Sequence, residues 1–244
     1  MSDNTASLRI GALDALRGFL ILGMVLVHGT MDLAHGGWIP RSIPESIPFQ
    51  MVIYGGAGLF ILLSGVTAGK SASPARNLRR GGLLALAAAL VTAASYLAVP
   101  EAPVWFGILH LLAVSRLLYA GLCRLLPGMM RKKAVPVLCA ALLTLGIVLC
   151  RIPTEGNLLL PLGFYDHRLP MTDYFPLLQW FPVFLFGTWL GEPVFSGRFP
   201  EAFYRFRQPK LEWVGRNSLW IYLLHQPVLL LLLGFLDMVC QTIS

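Results

Sequence analysis

Long apolar runs separated by short polar connectors dominate the chain, and seven windows meet or approach the roughly 20 residues that a membrane-crossing helix requires. They lie near Leu13 to Leu33, Gln50 to Gly69, Gly82 to Val99, Val104 to Leu126, Ala134 to Cys150, Tyr174 to Gly191 and Leu211 to Val239. The first is longer than the apolar core of a signal peptide and no small-residue cleavage site follows it, so it reads as a retained span. The last would reach about 42 Å as one helix, more than a bilayer core needs. Its opening stretch, Leu211 to Ser218, carries Glu212, Arg216 and Asn217 and is expected to lie at the membrane interface before the helix enters lipid. Trp38, Trp105, Trp180, Trp189, Trp213 and Trp220 fall mostly near predicted span ends, as interfacial aromatic belts do. The pattern predicts an all-α fold, a polytopic membrane helix bundle of about seven transmembrane helices. It forms a single domain over residues 1–244, with no linker, repeat or low-complexity stretch.

Charge orients that bundle. One set of connectors carries Lys70, Arg76, Arg79 and Arg80, then Arg124, Arg131, Lys132 and Lys133, then Arg198, Arg205, Arg207 and Lys210. The alternating set carries only Arg41, Arg151 and Arg168 against Glu45, Glu101, Glu155, Asp166 and Asp173. An excess of lysine and arginine marks the cytoplasmic side, so the N-terminus is expected inside and the C-terminus outside. Arg9 and Arg17, before and within the start of the first span, agree.

Composition narrows the function classes. With 56% hydrophobic and 13% charged residues, the chain would expose large apolar area in water, which makes the bilayer its solvent. The net charge of +7 comes from short clusters flanking the spans, where anionic lipid accounts for it, and nucleic acid is not an expected partner. Cys123, Cys139, Cys150 and Cys240 show neither CxxC nor Cys/His ligand spacing and read as small core residues; no metal is implied.

Polar and ionisable groups inside spans are costly and are functional candidates by default. His28, Asp32 and His35 fall within about 60° of one helix face if the first helix continues through them. A carboxylate fixes a histidine's tautomer, which suits an imidazole to work as a general base near neutral pH. The competing reading is that Asp32 and His35 are the wet end of a helix closed by Gly36 and Gly37. In the last window Arg216, Asn217 and Ser218 stand at the inner end, with Tyr222, His225 and Gln226 deeper. Pro227 follows, and it removes an amide donor and frees a carbonyl. That combination suits a cavity wall, although a lone buried histidine is more often satisfied packing. His110 is a further intramembrane imidazole, with Arg116 about two turns away. Asp173 is expected either to cap the sixth helix, beside Tyr174, or to hold a polar acceptor above His28 and His35. Asp14 and Arg17 form either an intrahelical ion pair or, for Arg17 with Arg79, Arg80 and Arg216, part of an anion site fed from the cytoplasm. Gly65 and Gly69 make a GxxxG that permits close helix approach.

Several of these residues sit in ordered motifs. Leu13-Asp14-Ala15-Leu16-Arg17-Gly18 leads to Met24-Val25-Leu26-Val27-His28, and Phe106-Gly107-Ile108-Leu109 follows. Then come Asp173-Tyr174-Phe175-Pro176 before Gly187, Gly215-Arg216-Asn217-Ser218-Leu219, and Tyr222-Leu223-Leu224-His225-Gln226-Pro227. The set, in this order, resembles the heparan-α-glucosaminide N-acetyltransferase catalytic-domain family of bacteria, part of the transmembrane acyltransferases. The resemblance implies a multi-pass protein of the bacterial plasma (inner) membrane that takes acetyl from cytosolic acetyl-CoA and places it on a sugar across the bilayer. It matches His35, in Ala34-His35-Gly36-Gly37-Trp38, to a catalytic histidine that precedes a tryptophan by three.

The expected function is therefore acyl transfer from acyl-CoA to a sugar amine or hydroxyl. Donor phosphates would sit among Arg17, Arg79, Arg80 and Arg216, beside Asn217 and Ser218. His35 or His28 would be the base, oriented by Asp32. His225, Asn217 or Tyr222 would donate to the oxyanion, and Asp173, Tyr174, His110, Tyr222 and Gln226 would line the acceptor's path. A small-solute or proton-coupled transporter or flippase is the alternative, with a noncatalytic membrane partner as a third class. The sequence leaves the acceptor's identity and the oligomeric state open, a homo-oligomer included.

Overall fold

The computed structural model describes residues 9–70, 73–129, 132–152 and 154–243. Arg131 of the second basic cluster lies outside the described residues. Within them every regular element is helical: α1 (Gly11–His35), α2 (Ser42–Glu45), α3 (Ile47–Gly69), α4 (Pro74–Ala98), α5 (Ile108–Leu125), α6 (Val135–Leu149), α7 (Leu177–Phe195), α8 (Glu201–Arg205), α9 (Pro209–Arg216), α10 (Ser218–Ile243) and a 3-10 turn at Leu160–Leu162. Five of these, α1, α3, α4, α5 and Ser218–Cys240 of α10, are long and apolar enough to cross a membrane. The other two predicted windows differ for physical reasons. Helix α6 has 15 residues, about 22 Å of rise against a core near 30 Å. Helix α7 runs unbroken over 19 residues through Pro182 and Pro193, and Gln179, Thr188 and Glu192 stand among its apolar residues.

The chain divides into two compact units, Met1–Phe60 with Phe199–Ser244, and Ile61–Arg198. In the first, α1 packs against α9 and α10. A Cβ at Gly18 would strike the Leu211 carbonyl oxygen and one at Gly215 the Asp14 carbonyl oxygen, so the α1–α9 crossing needs glycine on both sides. The run expected as one helix from Leu211 to Val239 is two. Asn217 ends α9: its backbone N–H donates to the Trp213 and Val214 carbonyls and its side-chain amide to the Trp213 carbonyl at 2.9 Å. Helix α10 then runs parallel to α1, since contacts advance together along both, from His28 with His225 through Gly29 with Leu229 to Trp38 with Asp237.

In the second unit α4 and α5 are antiparallel, joined by Asn77 with Arg116 near one end and Thr92 with His110 near the other. Helix α4 begins at Pro74, with proline in the first turn, so Arg76, Arg79 and Arg80 ride on a helix that starts eight residues before the predicted window. The Ile61–Gly69 stretch of α3 crosses α7 at two facing small-residue motifs, Gly65 and Gly69 against Gly187 and Gly191. A Cβ at Gly65, Gly69 or Gly187 would collide with the Phe184, Thr188 or Leu62 carbonyl oxygen respectively. Gly146 of α6 meets the Leu178 carbonyl of α7 in the same way.

Candidate active site

Helix α1 carries its polar groups as a stripe. Arg17 and His28 are eleven residues apart, about three turns and roughly 20° of offset, and Asp32 lies one turn further. Because α10 runs parallel beside it, the deep part of this stripe meets the second sequence constellation. The His28 and His225 rings contact edge to face with centroids 4.9 Å apart. The Tyr222 ring lies 5.5 Å from that of His225. The Nδ1–H of His225 donates to the Tyr222 carbonyl, which leaves Nε2 as the lone-pair nitrogen of the neutral ring. The Gln226 side-chain amide donates to both Asp32 oxygens, at 3.1 and 2.9 Å. Its own Oε1 is buried with no hydrogen-bond partner among the described residues.

The geometry thus brings together His28, Asp32, Tyr222, His225 and Gln226. It differs from the sequence expectation in two particulars. Asp32 receives Gln226 rather than an imidazole, because the parallel register sets the amide opposite the carboxylate. His35 is exposed in the last turn of α1, two turns beyond the paired imidazoles.

At the opposite end of the stripe Asp14, 8% exposed, accepts from Arg9 Nε at 2.7 Å and stands 3.7 Å from Arg17. A carboxylate in the first turn also suits the positive end of the helix. Arg216 lies 3.8 Å from Glu212. Arg17 and Arg216 are therefore both charge-balanced cations flanking the Gly18–Gly215 crossing, Asn217 is a helix cap, and Ser218 opens α10. Arg79 and Arg80 are exposed on α4 in the second unit, so the four arginines grouped in sequence fall on two units.

The second unit resolves the remaining candidates. At the start of α5 the Gly107 N–H donates to His110 Nδ1 at 3.2 Å, which places the ring proton on Nε2, 3.2 Å from the Thr92 hydroxyl. Thr92 in turn donates to the Val104 carbonyl at 2.7 Å. One nitrogen of His110 thus caps α5 and the other meets Thr92 of α4. Asp173 does not cap α7, whose N-cap is Pro176; its carboxylate reaches across to the Ile108 N–H of α5 at 3.2 Å. It adopts φ 50, a left-handed conformation that aspartate tolerates better than most residues. Gly107 is required beside it, as a Cβ there would collide with the Asp173 carboxylate. A backbone bond from Phe175 N–H to the Phe106 carbonyl, 3.0 Å, completes the latch. The Tyr174 hydroxyl donates to the Leu160 carbonyl at 2.8 Å. Two motifs 65 residues apart are thus one structural joint.

Two features were missed by sequence reasoning. Arg116 is 6% exposed and donates to Asn77 Oδ1 at 3.0 Å, the Ser64 carbonyl at 3.2 Å and the Thr67 hydroxyl at 3.3 Å, tying α3, α4 and α5 together. Its signal in the sequence is an arginine in mid-span, with an asparagine, Asn77, at the start of the preceding span. Trp38 donates its indole N–H to Asp237 at 3.1 Å. Here the signal was an acid in an otherwise apolar run.

The family profile described as heparan-alpha-glucosaminide N-acetyltransferase, catalytic, matches residues 9–227. The match takes in both units, including the imidazole pair, the α1–α9 crossing and the Asp173 latch, and ends before Asp237. Neither the curated proteins nor the solved structures gave a match. Apolar helices long enough to cross a membrane accompany this profile, and the chain belongs to the heparan-alpha-glucosaminide N-acetyltransferase catalytic family, a family of membrane acetyltransferases.

Proposed function

We propose that this protein transfers an acetyl group from acetyl-CoA, bound at the basic face of the membrane, to an amine or hydroxyl of a carbohydrate at the opposite face. The observation that carries this reading is the imidazole pair His28–His225, set on the same α1 stripe as Arg17 and backed by the Asp32–Gln226 bond. Arg17 and Arg216 offer paired donors to the donor's phosphates, as guanidinium groups do. About 16.5 Å of helix rise separates Arg17 from His28, a span for the donor's arm to follow.

In the reaction the acceptor's nitrogen or oxygen lone pair attacks the thioester carbonyl, and His28 takes the proton that the nucleophile sheds. The carbon–sulfur bond breaks as the tetrahedral adduct collapses, and the thiolate leaves as the thiol by taking the proton that His28 received. Tyr222 donates to the oxyanion, a contribution typically of a few kcal/mol. His225, held by the Tyr222 carbonyl, positions His28. Arg79 and Arg80, exposed on α4, are placed on the basic flank of the membrane.

We further propose seven crossings, α6 and α7 traversing as a pair in addition to the five longer helices. The parallel course of α1 and α10 supports placing the start of α1 and the end of α10 on opposite sides. The basic connectors favour the cytoplasm for the former, in the plasma membrane of a bacterium.

Purified protein in lipid nanodiscs, given acetyl-labelled acetyl-CoA and amino or neutral oligosaccharides, tests the reading. Labelled product that disappears in His28→Ala is expected. Product formed at the wild-type rate by both His28→Ala and His225→Ala would overturn it.

A further inference from the structure

Asp32 and Gln226 form a contact with a direction. Both oxygens of the carboxylate accept from one amide nitrogen, at 3.1 Å to Oδ1 and 2.9 Å to Oδ2, so the two hydrogens of Gln226 Nε2 are both engaged. An ionised carboxylate accepts only, and the reversed amide would set oxygen against oxygen. Asp32 therefore decides which end of the amide is left for another partner. That end is Oε1, which is buried and has no hydrogen-bond partner among the described residues.

A buried carbonyl oxygen that meets no donor is unfavourable, and native proteins carry few of them. Its place says what would supply the donor. Gln226 follows His225 on α10, and Asp32 lies one turn beyond His28 on α1, about 6 Å of rise, on the side away from Arg17. In the proposed reaction acetyl-CoA comes past Arg17 and the carbohydrate from the opposite face. The amide head at Asp32 thus stands on the carbohydrate's side of the imidazole pair. A sugar reacting at His28 carries hydroxyls on the carbons beside the reacting one, and each of these can donate.

We infer that Gln226 is a specificity-determining residue whose Oε1 accepts a hydrogen bond from a hydroxyl neighbouring the acceptor's reacting atom, and that Asp32 is the positioning residue that keeps the amide turned for it. This rests on the acyltransferase reading and deepens it. Asp32 acts through the amide rather than through a histidine. A sugar without that hydroxyl leaves Oε1 with no donor and is disfavoured, whichever group is acetylated.

The test measures binding and acetylation of methyl glucoside, methyl glucosaminide and their monodeoxy analogues by the protein in nanodiscs, with the KM for acetyl-CoA followed in parallel. Wild type should prefer the parent sugar over one monodeoxy analogue by about tenfold, the usual worth of one hydrogen bond. Gln226→Leu should abolish that preference, and Asp32→Asn, which lets the amide turn, should lower it at least about threefold. The exchange Asp32→Asn with Gln226→Glu should restore it, because the new amide donates to the new carboxylate and leaves one carboxylate oxygen to accept. The KM for acetyl-CoA should stay within about twofold throughout, an outcome that a merely structural contact does not produce. If Asp32→Asn is poorly folded, Gln226→Leu and the exchanged pair decide. A preference unchanged in Gln226→Leu, absent in wild type for every analogue, or not restored in a folded exchanged pair overturns the inference. Discrimination in binding that follows these variants without any transfer would sink the acyltransferase reading and leave the role of Gln226 standing, whereas transfer with variant-independent discrimination would do the reverse.

Discussion

His28 and His110 both sit on apolar helices, and sequence alone gives each the same claim to chemistry; their surroundings separate them. His110 has one nitrogen on the Gly107 amide and the other on the Thr92 hydroxyl, a closed circuit that serves the start of α5. His28 instead meets a second imidazole whose Nδ1 is fixed on a carbonyl. Both nitrogens of His110 are held within its own unit, whereas His28 and His225 face one another across two helices. The carboxylates repeat the contrast. Asp173 is committed to the Ile108 amide, while Asp32 is held by a side-chain amide that a substrate could displace.

The sharpest way to break this comparison is to remove each imidazole in turn. His28→Ala should lower the transfer rate by about 100-fold or more, the usual worth of a general base, with a melting temperature close to wild type. His110→Ala should leave the rate per folded molecule within about threefold and lower the thermal midpoint instead. Rate assays alongside calorimetry separate the two, and a reversed pattern would show that the roles have been exchanged.

A second test addresses the crossing that sets α1 and α10 side by side. Gly215→Val forces a branched side chain into the Asp14 carbonyl, and overpacking of this kind costs about 1–3 kcal/mol, occasionally more. Size-exclusion profiles should show a reduced monodisperse fraction, and Gly234→Val, where nothing lies within 4 Å, should not.

Smaller effects sharpen the contrast between the acids. Asp173→Ala should cost about 1–2 kcal/mol, as loss of a helix cap does, visible as a lower denaturation midpoint without a change in KM. Gln226→Leu removes the donors that hold Asp32. It should raise the acceptor KM by about threefold to tenfold, from roughly 1 kcal/mol of lost orientation, with stability little changed. Equal shifts in stability for both variants would erase the distinction.

Much of the architecture could be read from the residues. Apolar length found the helices, because a backbone in hydrocarbon must satisfy its own hydrogen bonds and a helix does so locally. The polar stripe of α1 followed from helical periodicity, and Asn217 and Pro227 gave notice of irregularity in the last run. Helix limits were less legible at α4 and α10, where a proline in the first turn and an amide cap, rather than hydropathy, set the boundary.

What the chain by itself determined was local: the helices, their charged flanks, and the faces on which His28, Asp32, Tyr222 and His225 stand. Which of those faces meet was decided only in three dimensions. The parallel register of α1 and α10 set Gln226 on Asp32 and Trp38 on Asp237, and the fold spent Asp173 and His110 on holding α5. The reason is that periodicity fixes direction around one axis, while partner choice depends on where glycines allow two backbones to touch, and that involves residues some 200 positions apart.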